Sequence, residues 1–341
     1  MPVIRRLFAS IGSFRPLLVV LTLASPLAAA DPSRHVILIS LDGFPAFMWR
    51  QAGVAVPNLR RLAAEGAAAG AMKVSNPSIT WVNHTTLVTG VTPRRHGVLF
   101  NGLLVHPGPR KPPVVEQWAD RDQLVRVPTL YDRAKEAGLT TAESNWVAVT
   151  LAPTIDWSFK EFPKPEDPVV REMLAAGVLT REEVTGMEYG QKTSIAWHDQ
   201  IWTRAAKFML ERHQPNLLMF HVLTLDSSNH SYGVGSSPSH TAMEYVDSLV
   251  GEMERTVEHL GLKDKTTFLI VSDHGHKRVT TGHNFALVGG SEGTHEAMVE
   301  KAVKINEHLK RRGKELSEVS REEFDDIAHS VGLKRNAPEE N

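Results

Sequence analysis

From Arg34 onward, continuous apolar runs alternate with segments of helical spacing. The run HVILISLDGF (35–44) has no polar alternation, as expected of a strand covered on both faces. VPNLRRLAAEGA (56–67) follows with helical spacing, Pro57 near its start and Gly66 near its end. TLYDRAKEAGLTTAESN (129–145) predicts a helix ending near Gly138 and then a short strand. In QIWTRAAKFMLERHQPNLLMFHVLTLD (200–226) an amphipathic helix, a turn at Gln214 and Pro215, and a second continuous apolar strand ending at Asp226 are expected. SHTAMEYVDSLVGEMERTVEHLGL (239–262) and TTFLIVSDHG (266–275) repeat that unit. Strands alternating with helices predict an α/β sandwich with a mostly parallel sheet.

Segments outside this alternation read as loops and termini. Residues 101–123 hold four prolines and two glycines and predict a long surface excursion, with EFPKPEDP (161–168) a second one. Beyond residue 300 the chain is rich in charge, which predicts one or two solvated helices and a frayed end. The expected division is a signal peptide over 1–30, one α/β domain over 31–300 and a charged, helical C-terminal segment over 301–341. The signal peptide rests on Arg5, Arg6 and Arg15 preceding PLLVVLTLASPLAAA, whose small final residues suit cleavage after Ala30. RRLF also resembles a twin-arginine export signal. The apolar run falls short of the roughly 20 residues a membrane span needs, so an exported chain, periplasmic or secreted, is expected.

Composition narrows the chemistry. The 341 residues are 42% hydrophobic, enough to bury a large core. A net charge of -1 leaves no electrostatic footprint for nucleic acid, so an anionic substrate must be held locally. With no cysteine, disulfides and thiolate metal sites are excluded, and a metal must be bound by carboxylates or by some of the 16 histidines.

Three strand ends carry such groups: Asp42, then Asp226 with His230, then Asp273 with His274. An Asp after a strand is ordinarily a turn or cap residue. In an open parallel sheet, however, ligands bind outside the carboxyl ends of the strands, and three of them converge here. Carboxylates and imidazoles without thiolates suit catalytic zinc or similar divalent ions. Paired metals about 4 Å apart clamp the attacking and leaving oxygens in displacement at phosphorus.

The stretch NPSITWVNHTTLVTG (76–90) supplies a nucleophile. Read by itself, Ser78 or Thr80 caps a short helix and Asn83 decorates its first turn. Beside a metal and at a helix N-terminus, the Thr80 hydroxyl is activated for attack, and Asn83 is expected to donate to a phosphoryl oxygen as charge develops. Trp81 offers a face for a base or other apolar group, or packs in the core.

The motifs LDGF, PSITWVNHTTLVTGVTPRRHGV, LDSSNHSYG and VSDHG, in this order, resemble the nucleotide pyrophosphatase/phosphodiesterase family of the alkaline phosphatase superfamily, over roughly 34–283. The resemblance implies an alkaline-phosphatase-like three-layer α/β sandwich and two zinc ions. Asp42, Thr80, Asp273 and His274 would bind one zinc, Asp226 and His230 the other, with Thr80 the nucleophile and Asn83 the oxyanion-side donor. The implied substrate is a small phosphodiester or nucleotide pyrophosphate. A phosphomonoesterase of the same superfamily and a truncated relative acting as a binding protein are the alternatives, and the monoesterases' arginine beside the nucleophile is missing from ITWVNH.

The family also needs one further histidine on the second metal, well downstream of VSDHG. Residues 275–341 offer His295 in EGTHEA, the expected ligand because Gly-Thr-His resembles the family's closing motif, and His283 in TTGHNF as its alternative. His276 stands where the family usually has methionine and is a third candidate. Each of the three also reads as a surface histidine.

Overall fold

The computed structural model describes residues 30–277, 279–288 and 292–333. The expected signal peptide, Ala30 excepted, lies outside them. Five strands form one wholly parallel sheet: β1 (His35–Leu41), β2 (Thr141–Ser144), β3 (Trp157–Phe159), β4 (Leu217–Val222) and β5 (Thr266–Val271), in the order β3-β2-β4-β1-β5. The helices that matter to the site or the core are α1 (Pro57–Glu65), α2 (Thr80–Thr89), α3 (Leu130–Glu136), α4 (Ile195–His213), α5 (Thr224–Tyr232), α6 (Ser237–His259), α7 (Glu292–Arg311) and α8 (Arg321–Ser330).

Alternate strand residues enter different cores, which is what makes the fold three layers. Ile37, Ile39, Leu41, Leu218, Phe220 and Val222 join the larger core with Leu59 of α1, Trp202 of α4 and Val246 of α6. Leu38, Leu217 and Met219 join the smaller one with Val88 of α2 and Tyr131 of α3. Apolar side chains are needed on both faces, so the strands read as unbroken apolar runs.

Strand β5 departs from that expectation. Phe268 and Ile270 pack against the larger core and Val271 against the smaller, yet Leu269 is 44% exposed. β5 pairs only with β1 among the described residues and forms the sheet's outer edge, so its apolar run is covered on one side more fully than on the other. The excursion over 101–123 contains a short hairpin, Leu103–Val105 with Val114–Glu116. The expected boundary at residue 300 falls inside α7, which packs through Ile305 and Leu309 against Ile327 and Ala328 of α8 in a small core of their own. No helix among the described residues is long and apolar enough to cross a membrane.

Register sets the position of the site. Leu41 lies opposite Val222 and Ser40 opposite Val271, so the residues after β1, β4 and β5 emerge level with one another. The chain after β4 turns straight into α5, whose N-cap Leu223 has no side-chain cap. Asp199 of α4, fully buried, does that work by accepting from Leu223 N at 2.9 Å and Thr224 N at 2.8 Å. It thereby fixes the helix that carries Asp226 and His230.

Replacing Asp199 by alanine leaves two inward-facing N–H groups without an acceptor, at a cost of about 2–3 kcal/mol. Urea unfolding of the variant should show the midpoint falling with an unchanged slope, and an unchanged midpoint would mean that water takes over both groups.

Candidate active site

Helix α2 begins at Thr80, with Ile79 in extended conformation as its N-cap and no side-chain cap. Neither Ser78 nor Thr80 therefore serves as the capping residue, and the Thr80 hydroxyl points elsewhere: Oγ1 lies 3.3 Å from His274 Nε2. That imidazole nitrogen is also 3.4 Å from Asp42 Oδ1 and 3.3 Å from Asp273 Oδ2. Ligand atoms around a tetrahedral zinc, at bond lengths near 2 Å, stand about 3.3 Å apart. The same two carboxylate oxygens, Asp42 Oδ1 and Asp273 Oδ2, are buried and have no hydrogen-bond partner. Unsatisfied buried oxygens are costly unless something fills the space between them, and a divalent cation fits the donor set.

The other oxygens of the pair are held by protein. Gly43 N donates to Asp273 Oδ1 at 3.2 Å, and His221 Nε2 lies 2.9 Å from Asp42 Oδ2. His221 Nδ1 donates to the Asn145 carbonyl at 3.0 Å. Burial pushes His221 down to about 3, so its ring is neutral with an acceptor at Nε2, and Asp42 supplies the shared proton. Consistently, Asp42 is raised well above the usual carboxylate range, by burial first and then by the negative charges of Asp273 and Asp226. Burial also acts to raise Asp273, but the neighbouring imidazoles of His84 and His274 outweigh it and hold this carboxyl low. His84, buried and lowered by desolvation, donates from Nδ1 to the Thr80 carbonyl at 2.8 Å and packs against His221 with ring centroids 4.3 Å apart.

Asp226 and His230 lie one turn apart on α5, with His230 Nε2 3.5 Å from Asp226 Oδ1. His276 Nε2 approaches the same oxygen at 2.8 Å, and the three donor atoms fall within 4.8 Å of one another. Asp42, Asp226 and His274 form an overlapping group of the same kind, so Asp226 adjoins both clusters.

Other expected site residues are placed differently. The Asn83 side chain is buried and turned to the preceding loop: Oδ1 accepts from Ser75 N at 2.7 Å and Nδ2 donates to Ile79 O at 3.2 Å. Its amide is committed to the backbone and cannot serve a phosphoryl oxygen in this arrangement. Asn101 instead stands at the start of α2, where its Oδ1 accepts from Trp81 N at 2.9 Å. The Trp81 ring packs against the small core around Val82 and Val98. His295 is buried with Nε2 2.7 Å from Thr280 Oγ1, and His283 is exposed and paired with Glu315 at 2.7 Å, so neither joins Asp226 and His230.

Asn101, His84 and His221 were not singled out by the sequence. His84 has one available signal, its position four residues after Thr80 on the same helix face. His221 carries another, an imidazole inside a strand whose neighbours are all apolar.

A family model described as type I phosphodiesterase/nucleotide pyrophosphatase matches residues 36–340. The chain is 26% identical over 257 residues to ectonucleotide pyrophosphatase/phosphodiesterase family member 7 of Homo sapiens, covering 74% of this chain and 50% of that protein. Against the venom phosphodiesterase of Macrovipera lebetinus the identity is 23% over 266 residues, covering 75% and 28%. The chain thus spans half the length of the first relative and less of the second. Murine ectonucleotide pyrophosphatase/phosphodiesterase 5, solved as an inactive threonine-to-alanine variant in complex with AMP, shares the fold with a TM-score of 0.53 at 16% identity, over 78% of this chain and 69% of that one.

Substituting the two asparagines separates their duties. Asn83→Ala removes a buried amide that bonds both Ser75 N and Ile79 O and should lower the unfolding free energy by about 1–3 kcal/mol, whereas Asn101→Ala removes the single bond from Trp81 N at a half-buried side chain and should cost about 1 kcal/mol. Denaturant titration of both variants checks this, and equal losses would mean that the two amides are alike.

Proposed function

This chain belongs to the type I phosphodiesterase/nucleotide pyrophosphatase family, and on that premise we propose that it is an exported two-metal hydrolase of phosphodiester or nucleotide pyrophosphate bonds with Thr80 as nucleophile. The observation that carries the reading is the set of three donors 3.3–3.4 Å from His274 Nε2, two of them buried carboxylate oxygens without a partner. Asp42, Asp273 and His274, with Thr80, would hold one zinc, and Asp226 and His230 belong to the second. Bound there, the metals would supply Lewis-acid charge and lower the pKa of the nucleophile.

The residues then divide the work. Thr80 Oγ1 forms a bond to phosphorus while the bond to the leaving oxygen breaks, giving a covalent threonyl intermediate. Water cleaves that bond in a second displacement, so configuration at phosphorus is retained. His84 fixes the Thr80 backbone through its carbonyl, and the N-terminus of α2 adds a positive dipole end where the phosphoryl group must sit. Asn101, oriented by the Trp81 N–H, takes the donor role expected of Asn83, because its Nδ2 has no protein acceptor among the described residues. No lysine or arginine pairs with the cluster among the described residues, so a diester monoanion is better matched than a monoester dianion. Export is supported by the basic and apolar N-terminal stretch and by relatives named ectonucleotide pyrophosphatase/phosphodiesterase and venom phosphodiesterase.

Thr80→Ala is expected to lose nearly all turnover while keeping its metal, read by chromogenic diester hydrolysis alongside metal analysis. Asn101→Ala should lower turnover by roughly 100-fold with a smaller change in KM. The unaltered chain should cleave a nitrophenyl nucleotide diester faster than nitrophenyl phosphate. A fully active Thr80→Ala variant removes the nucleophile assignment, and the opposite substrate preference favours the monoesterase.

A further inference from the structure

We infer that His276 is the third protein ligand of the second metal, so that both metal centres are complete within residues 42–276. The inference rests on the two-metal reading above. Two imidazole nitrogens from different elements converge on one carboxylate oxygen: His276 Nε2 at 2.8 Å and His230 Nε2 at 3.5 Å from Asp226 Oδ1, with ring centroids 4.8 Å apart. These separations bracket the spacing of about 3.3 Å that donors take around a tetrahedral zinc. Helix spacing brings His230 and Asp226 together, and His276 arrives at the same oxygen from the loop after β5, so three donors from two elements meet at one point.

The donor set also matches a working site. One carboxylate and two imidazoles make the three protein ligands usual for a catalytic zinc with one position open. The His230 side chain is 69% exposed, so a metal held there would be accessible from solvent. Backbone geometry is shaped around the pair. A Cβ on Gly43 would lie 2.7 Å from Asp226 Oδ1 and 2.8 Å from His276 Nε2, and the residue's φ of +63° is one that side chains rarely adopt. The chain thus passes the two donors as closely as it can.

Economy of position follows from β5. Asp273 and His274 leave that strand toward the first metal, and His276, two residues on, reaches the second from the same loop. The hairpin Val279–Gly282 with Phe285–Val288 and helix α7 are then not needed to complete either centre. His295 on α7 is taken up by Thr280, and His283 by Glu315.

The test is metal stoichiometry of the zinc-loaded, desalted full chain, with the visible spectrum of the cobalt-substituted protein as a second readout. The unaltered chain should hold about two equivalents. His276→Gln, of similar length and a poor ligand, should lose one equivalent and the corresponding cobalt bands, while His276→Asp, which puts a carboxylate donor in place of the imidazole, should keep both. His295→Ala and His283→Ala should each keep both. Circular dichroism identifies any variant that has failed to fold, and the Gln and Asp pair gives two independent chances to read the site. Retention of both equivalents with an unchanged spectrum in His276→Gln overturns the assignment, as does loss of one equivalent in His295→Ala or an unaltered chain that holds only one. A chain that holds two metals, loses one in His276→Gln, and cleaves no diester would leave this assignment standing and remove the proposed activity.

Discussion

Two carboxylates buried side by side at the carboxyl ends of adjacent strands set the terms for everything around them. Asp42 and Asp273 are fully buried, and each has one oxygen bonded to protein and one with no partner. In a low-dielectric interior such a pair cannot carry two charges unless a cation or a proton intervenes. Without a cation the proton sits on Asp42, shared with a His221 ring held neutral by burial. The neighbouring histidines hold Asp273 ionised, so the two strand ends are inequivalent although their backbones are level. A metal bound at the unpartnered oxygens would replace that proton, which couples metal binding to proton release.

That constraint depends on register and on supports drawn from elsewhere in the fold. A slip of one residue between β1 and β5 would send Asp42 or Asp273 to the opposite face of the sheet. Asp199 of α4 secures the turn into α5, and His84 and His221 pack ring against ring beneath Thr80 and Asp42. Asp42, Asp273 and His274 therefore stand on short strand exits, and the residues that support the cluster come from α2, α4 and β4, distant in sequence. Such an arrangement limits how far the donors can relax when a cation is absent.

What the sequence disclosed follows from the range over which each signal acts. Alternation of apolar strands and helices is a local property, and the parallel three-layer architecture with polar groups at the strand ends was legible from it. The edge position of β5 was not, because an apolar run looks the same whether one or both flanks are paired. Thr80 was visible as an oddity, but its release from capping depended on Ile79 being extended, a matter of backbone geometry. The commitment of the Asn83 amide was hidden for a similar reason: Asn83 and Asn101 both stand near α2, and only the fold of the loop over 75–79 shows that Asn83 is bonded to the backbone there. His295 drew attention through its Gly-Thr-His setting and His276 through standing where the family usually has methionine, but only the fold shows that α5 lies across from His276.

The overlap at Asp226 gives the site its final physical property. This carboxylate belongs to one cluster with Asp42 and His274 and to another with His230 and His276, and its charge already raises Asp42. The two clusters therefore share one carboxylate. A cation held on one side would neutralise charge that the other side feels, and two cations held together would repel one another. A phosphoryl group bound between the clusters would offer negative oxygens that offset this repulsion. Substrate and metals would then stabilise one another through a single shared carboxylate, which makes the spacing of the strand ends, rather than any one ligand, the quantity on which catalysis would turn.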